Sequence, residues 1–205
     1  DNYALRTTEP GSTIKLATLL AVLEKGTSKI SDQVEIGSAG KGMVGPKLVY
    51  DAERSPKPFL SVQECFSHSS NIGMSKLALK AFGKKPTELK DYLHRFQLDT
   101  RSPIDLNNVP RPRMAPLNEK GSSLGNMLWM SFGYALQVSP LHTLTLYNAV
   151  ANEGKMMRPY LVSRIQQGEI IFREYTPAVL ESQLCRPDVI AAARASMESV
   201  VTEGT

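Results

Sequence analysis

The chain has 205 residues, of which 41% are hydrophobic and 21% charged, so it is long enough to bury a sizeable core. Its net charge of +4 is spread along the sequence without a long Lys/Arg block, so nucleic acid is not an expected partner. No stretch is apolar enough to predict a membrane-spanning helix, and Cys65 and Cys185 lack the close spacing of a metal-binding motif.

The first predicted element is a strongly apolar helix that begins after Gly11 and ends at Gly26. A helix that is apolar nearly all round is usually buried, and glycine suits the position just past a helix end. Ser12 and Lys15 stand at the start of this helix. Residues with this spacing share a helical face, so the lysine amine can reach the serine hydroxyl.

This Ser-x-x-Lys pair is a candidate for acyl-transfer chemistry, because a serine hydroxyl needs an adjacent base to act as a nucleophile. A helix N-terminus favours a developing negative charge, and burial lowers the pKa of a lysine. The alternative is a capping Ser12 beside a Lys15 that extends its ammonium to solvent. A second match, Ser38 to Lys41, lies among glycines and is interpreted as a loop serine and a solvated lysine.

Further elements follow in chain order. Residues 27–58 are rich in Gly, Pro, Ser and Lys and are predicted to be irregular, with one short strand at 47–50. The capping-box pattern Ser61-Val62-Gln63-Glu64 predicts a short helix that ends at about Ser67. A helix is predicted over 71–82, and Thr87 is predicted to cap the next one. The inner faces of these two helices are Ile72, Met74, Leu77, Ala78, Ala81 and Phe82, then Leu89, Tyr92, Leu93 and Phe96.

The second half of the chain is predicted to begin as loop, because residues 99–125 contain several prolines and glycines. Ser139-Pro140 predicts the start of a helix over 140–153. Two strands at 160–165 and 169–173, joined by a turn at Gly168, precede a last helix over 187–201. The pattern indicates a mainly helical α+β chain in one domain, without internal repeats.

A second candidate site lies at Ser69-Ser70-Asn71, which opens the helix over 71–82 and is the only Ser-x-Asn match. A hydroxyl and an amide placed two residues apart at a loop–helix junction can both face a cleft. Ser69 would then relay a proton near Lys15, and Asn71 would hold a substrate carbonyl. The alternative is ordinary helix capping by Ser69 or Ser70.

The two motifs together resemble the transpeptidase domain of class B penicillin-binding proteins, which pair Ser-x-x-Lys with Ser-x-Asn and Lys-[Ser/Thr]-Gly motifs. The resemblance starts at residues 9–15 and 69–79 and continues through the blocks 131–141, 149–154 and 158–162. The Ser-Ser-Asn-Ile-Gly and Phe-Gly-Tyr blocks are most similar to the septal, cell-division branch.

The chain departs from that family at several positions. Ala135, Ser139 and His142 stand where the family usually has Gly, Thr and Gln. No Lys-[Ser/Thr]-Gly occurs in the 205 residues. The resemblance therefore implies the helical part of a penicillin-binding/β-lactamase-like transpeptidase domain, with residues 1–205 forming a partial domain that has an incomplete central sheet.

The resemblance implies a peptidoglycan D,D-transpeptidase that cross-links stem peptides through an acyl-serine intermediate and is a target of β-lactams. Ser12 would be the nucleophile, Lys15 its base, Ser69 a proton relay, and Asn71 the residue that holds the acyl donor. Ser12, Ser69 and Asn71 would also contact a bound β-lactam. No cofactor or metal is implied.

The same resemblance implies partners and a location. The expected partners are peptidoglycan stem peptides, β-lactam antibiotics, a membrane glycosyltransferase and other divisome proteins. The location is the periplasmic face of the bacterial inner membrane, where an N-terminal transmembrane helix outside these residues would anchor the protein. Without the third motif, the 205 residues alone are expected to have little or no transpeptidase activity. A β-lactam sensor domain and a non-catalytic cell-wall scaffold are the alternatives.

Overall fold

A buried helix at the centre of the fold carries the first candidate motif. The computed structural model describes residues 3–55, 57–118 and 123–204. A 3₁₀ turn (Gly11–Ile14) leads into helix α1 (Lys15–Lys25), in which every residue from Lys15 to Leu23 is buried. The other helices are α2 (Val62–Ser67), α3 (Asn71–Phe82), α4 (Thr87–Arg95), α5 (Ser123–Met130), α6 (Pro140–Ala151) and α7 (Pro187–Thr202). Helix α1 packs against α2, α3, α4 and α7, as its apolar character predicts.

The strands are short and form separate antiparallel pairs. The pairs are β1 (Gln33–Glu35) with β4 (Phe59–Ser61), β2 (Lys41–Val44) with β3 (Lys47–Tyr50), β5 (Arg113–Met114) with β6 (Leu136–Gln137), β7 (Met156–Met157) with β10 (Val179–Glu181), and β8 (Arg164–Gln167) with β9 (Ile170–Glu174). Within the described residues, no sheet exceeds two strands. The mainly helical α+β prediction is therefore confirmed. Among the helices of those same residues, none is long and apolar enough to span a membrane.

Local signals in the sequence placed most helix ends correctly. Helix α1 ends at Gly26, which adopts φ +74° and donates its N–H to the Leu23 carbonyl at 3.0 Å. The capping box at α2 is also present. The Ser61 hydroxyl accepts from the Glu64 N–H at 3.1 Å, and the Glu64 carboxylate accepts from the Ser61 N–H at 2.7 Å. Helices α3 and α7 occupy the predicted ranges to within one residue.

Two helix predictions were wrong. Thr87 does not cap α4: Pro86 before it already has helical angles, so Thr87 is the first residue of the helix and makes no cap. Residues 123–125, predicted as loop, belong to α5, where Lys47 packs against the position that a Gly125 side chain would occupy. The part of that predicted loop at 119–122 lies outside the described residues.

Two further boundaries differ from the predictions. Helix α6 ends at Ala151 instead of residue 153, because Glu153 has φ +56° and belongs to the turn that follows. The first strand of the exposed pair begins at Arg164 instead of residue 160. The preceding segment contacts the 99–118 loop, where the Leu161 N–H donates to Asp105 at 3.0 Å.

Both ends of α1 are held by distant parts of the chain. At its C-terminal end, the Arg186 guanidinium donates to the carbonyls of Leu23 and Glu24 at 3.2 and 2.8 Å. The Arg186 backbone N–H also donates to the Glu24 carboxylate at 2.9 Å. The guanidinium thus adds donors to the last carbonyls of the helix, and the three bonds join α1 to the start of α7.

The N-terminal end of α1 is held by the Phe-Gly-Tyr block. Thr8 and Val138 exchange two backbone hydrogen bonds at 3.0 Å, and the Gly11 N–H donates to the Gly133 carbonyl at 3.2 Å. Tyr147 on α6 donates to the Thr13 carbonyl at 3.1 Å. The backbone on both sides of Ser12 is therefore fixed by contacts from residues more than a hundred positions away.

Gly133 allows the closest of these approaches to the backbone around Ser12. We call the contacts of Gly133, Val138 and Tyr147 with this backbone the clamp, and replacing Gly133 tests it. Its φ is +106°, and a Cβ atom there would lie 2.0 Å from the Gly11 carbonyl oxygen. We expect Gly133→Ala to lower the thermal unfolding temperature of the whole protein far more than Gly168→Ala. Gly168 also has a positive φ, +59°, but no atom lies within 4 Å of its added Cβ, so that control carries only the backbone strain of about 1 kcal/mol. Equal losses in the two variants would contradict the clamp.

Candidate active site

The Ser12 hydroxyl and the Lys15 amine meet at the start of the central helix. The side chain of Ser12 is exposed, whereas Lys15 is 2% exposed. Lys15 Nζ lies 3.1 Å from Ser12 Oγ, within hydrogen-bond range. The Ser-x-x-Lys spacing thus joins the two side chains as predicted, across the junction between the 3₁₀ turn and α1. The alternative of a Lys15 reaching out to solvent does not fit its burial.

The Ser-x-Asn motif meets the same amine from the other side. Lys15 Nζ donates to Ser69 Oγ at 2.9 Å and to the Ser69 carbonyl oxygen at 2.5 Å. The ammonium therefore has three acceptors, which matches its three N–H donors. The two motifs singled out from the sequence form one cluster around Lys15 Nζ.

Burial makes Lys15 more available as a proton acceptor near neutral pH than an ordinary lysine, because more of it is unprotonated. It lowers the Lys15 pKa to about 8, because the charged form loses its hydration; the carboxylate of Asp51 opposes this shift. In about a tenth of the protein molecules the Lys15 amine is then neutral at pH 7, and this fraction grows as the pH rises. The neutral amine has a lone pair, which it can use only toward a hydroxyl hydrogen.

The Ser69 carbonyl orients that lone pair. A carbonyl oxygen can only accept, so it keeps one N–H of Lys15 in both protonation states. When Lys15 loses its proton, its lone pair must point to the hydroxyl of Ser12 or Ser69, the other two groups bonded to Nζ. The geometry therefore allows proton exchange between these two hydroxyls through one amine.

The hydroxyls of Ser69 and Ser70, in the turn between α2 and α3, have different hydrogen-bond partners. Ser70 caps α3, since its hydroxyl accepts from the Gly73 N–H at 2.9 Å. Ser69 makes no cap, and its φ of +53° is unusual for a residue with a side chain. Such a conformation costs on the order of 1–3 kcal/mol and persists where the surroundings enforce it. The capping alternative thus holds for Ser70, whereas the Ser69 hydroxyl faces Lys15.

Asn71 is fixed by the strand beside it. Its side-chain Nδ2 donates to the Tyr50 carbonyl at 2.7 Å, and one N–H of the amide remains for another acceptor. Asn71 lines a cleft of about 300 Å³ together with Ser12 and Ser69. The cleft provides room for a ligand beside the candidate nucleophile.

Asp51 is a site residue that the sequence analysis missed. It follows β3 and accepts from the Ser70 hydroxyl at 2.8 Å and from the Ile72 N–H at 2.9 Å. Its only sequence signal is a carboxylate directly after a predicted strand, which does not indicate a partner.

The second Ser-x-x-Lys match and the two cysteines do not join this site. Ser38 and Lys41 are both exposed, and in the described part of the chain no hydrogen bond joins them. Cys65 and Cys185 are buried and unpaired with each other, and burial raises the pKa of each thiol to about 12. The described residues contain no group of His, Cys, Asp or Glu side chains that could hold a metal ion.

Comparisons with known proteins point to one family. The family model "Penicillin binding protein transpeptidase domain" matches residues 1–205. The chain is 29% identical over 198 residues to a probable peptidoglycan D,D-transpeptidase, PbpC, of Pseudomonas aeruginosa, covering 96% of this chain and 32% of that protein. It is 27% identical over 175 residues to the probable peptidoglycan D,D-transpeptidase FtsI of Caulobacter vibrioides, covering 83% and 28%. The chain thus spans about a third of the length of these relatives.

Solved structures share the fold. An imipenem acyl-enzyme complex of penicillin-binding protein A from Mycobacterium tuberculosis superposes with a TM-score of 0.84 at 22% identity, covering 100% of this chain and 46% of that one. The transpeptidase domain of penicillin-binding protein 3 from Burkholderia pseudomallei gives a TM-score of 0.80 at 23% identity, covering 98% and 56%. At these identities the likeness concerns the fold.

The depressed pKa of Lys15 can be measured directly. We expect the Nζ resonance of Lys15, observed by NMR in protein labelled at lysine, to titrate with a pKa of about 8. Lys25 serves as the internal reference, because its hydrogen bond to Glu88 raises its pKa above the ordinary value of 10.5. If both lysines titrated together, Lys15 would not be the desolvated base described above.

Proposed function

The chain belongs to the penicillin-binding protein transpeptidase domain family, and on that premise we propose that the whole protein is a peptidoglycan D,D-transpeptidase acting through Ser12. The observation that carries this proposal is the position of Lys15 Nζ, bonded to the hydroxyls of both Ser12 and Ser69. Residues 1–205 would form part of one transpeptidase domain.

In the first half of the reaction, Ser12 Oγ attacks the carbonyl carbon of the penultimate D-alanine of a stem peptide. Neutral Lys15 accepts the hydroxyl proton as the new ester bond forms. The proton then moves through Ser69 to the leaving amine, and the C–N bond to the terminal D-alanine breaks. Asn71 offers its remaining amide N–H to the acyl donor. A positioned base of this kind typically contributes about 10²–10⁴-fold to the rate.

In the second half, an amine from a neighbouring stem peptide attacks the acyl ester. Its proton returns through the same relay to Ser12, which leaves as the restored hydroxyl. A β-lactam would acylate Ser12 because its strained amide takes the place of the donor peptide bond. A β-lactam sensor domain would share only this last step, so transpeptidation by the whole protein separates the two functions.

The location and partners of the whole protein follow the same proposal. We place the domain on the periplasmic face of the inner membrane, with a membrane glycosyltransferase and divisome proteins as partners and the septal branch as its class. The low transpeptidase activity expected of residues 1–205 alone stays a prediction.

Replacing the two Ser-x-x-Lys serines separately tests the nucleophile. We expect Ser12→Ala in the whole protein to abolish covalent labelling by a fluorescent penicillin, because the substitution removes the oxygen that is proposed to attack the β-lactam. Ser38→Ala is the matched control, because Ser38 has the same spacing to a lysine, but that lysine, Lys41, is exposed and makes no hydrogen bond to Ser38 among the described residues. Labelling that survives in Ser12→Ala would contradict the proposal, and so would loss of labelling in Ser38→Ala.

The pH dependence of acylation tests the base. Since only neutral Lys15 can accept the Ser12 proton, we expect the second-order rate constant for penicillin acylation to rise with pH through a midpoint near 8. The measurement is stopped-flow or quenched-gel kinetics between pH 6 and 9.5 at constant ionic strength. A rate that is flat over this range would show that Lys15 is not the base.

A further inference from the structure

The turn that contains Ser69 is held by two charged side chains, those of Lys15 and Asp51. Lys15 Nζ binds the Ser69 carbonyl and hydroxyl. Asp51 binds the positions one and three residues after Ser69, through the Ser70 hydroxyl at 2.8 Å and the Ile72 N–H at 2.9 Å. Ser69 lies between these two anchors in its strained conformation, φ +53°.

The contacts of Asp51 form a short chain of hydrogen bonds. Ser70 donates its hydroxyl hydrogen to Asp51 while its oxygen accepts the Gly73 N–H at 2.9 Å. An ionised carboxylate makes such bonds stronger than a neutral acceptor would. The neighbouring Tyr50 carbonyl accepts from the Asn71 side chain, so the end of β3 fixes three successive residues of the motif region.

We propose that Asp51 is the positioning residue of this site: its carboxylate holds the Ser69–Asn71 turn so that the Ser69 hydroxyl stays on Lys15. Asp51 also acts through its charge, which stabilises the ammonium form of Lys15 against the effect of burial. This inference rests on the proposed function, because a positioning role for Asp51 requires that Lys15 and Ser69 take part in the reaction.

The charge environment makes Asp51 distinct from its neighbours. The same cleft is lined by Glu53, Arg54, Lys57, Glu64 and His68. Lys57 and Glu64 pair with each other at 3.0 Å. Among the charged groups of the described residues, Asp51 is the one that raises the pKa of Lys15, and it also raises that of Cys65 on α2. Removing the Asp51 charge should therefore lower the pH at which Lys15 becomes neutral.

The test compares three variants of the whole protein in penicillin acylation kinetics across pH. Asp51→Asn removes the charge and, with an NH₂ in place of one oxygen, can no longer accept from both Ser70 and Ile72. Ser70→Ala removes one partner but keeps the charge. Glu35→Gln is the control. It removes a carboxylate on β1, and the Glu35 side chain has no hydrogen bond or ion pair among the described residues. Circular dichroism and thermal unfolding establish that each variant is folded.

We expect Asp51→Asn to lower the acylation rate at the alkaline plateau by roughly 10- to 100-fold, the effect of an unmade bond in a part-buried polar network. At that plateau Lys15 is neutral in every variant, so the loss does not come from a change in its protonated fraction. The midpoint of the pH profile should also move to lower pH. Ser70→Ala should lower the plateau without moving the midpoint, and Glu35→Gln should change neither.

Two results would overturn the proposal. One is an Asp51→Asn protein with the wild-type plateau and midpoint. The other is a plateau loss with an unmoved midpoint, which would give Asp51 a merely structural role. If the wild-type protein is not acylated at all, the proposed function is refuted. The role of Asp51 is then tested by NMR titration of Lys15 in Asp51→Asn, and a Lys15 pKa unchanged from wild type would refute that role.

Discussion

The structure depends on a lysine ammonium buried in an apolar helix bundle. Moving an unpaired charge out of water is costly, so a buried ammonium persists only when its donors are satisfied. Lys15 meets this condition with three acceptors, two hydroxyls and a carbonyl. The apolar surface of α1, packed on all sides, prevents the side chain from reaching solvent. The same burial that weakens the charged form gives the chain a base.

Holding that arrangement requires contacts from several distant segments. The 131–138 block fixes the backbone before Ser12, with Gly133 in near contact with Gly11. The end of β3 fixes the turn that carries Ser69. Arg186 fixes the far end of α1. The site is therefore a meeting point of elements whose own stability comes from the core, which is how a strained serine such as Ser69 can be kept in place.

Much of the fold was predictable because its signals are local. The apolar run of α1, the capping box at Ser61 and the Pro140 start of α6 each encode a helix within a few residues. The Ser12–Lys15 contact follows from helical spacing alone. By contrast, it is the positive φ of Ser69 that makes Ser70 the helix cap and Ser69 the partner of Lys15. No residue type at these positions predicts that φ. Asp51 was missed because its partners lie about twenty positions away and are joined to it only by tertiary packing.

The central claim is that Ser12 is the hydroxyl activated by Lys15, and mapping a covalent adduct tests it most directly. After reaction of the whole protein with benzylpenicillin, trypsin digestion and tandem mass spectrometry locate the added mass. We expect the penicilloyl group on the peptide of residues 7–15, with fragment ions that assign it to Ser12 and not to the threonines of that peptide. An adduct on any other residue, or no adduct, would show that Ser12 is not the nucleophile.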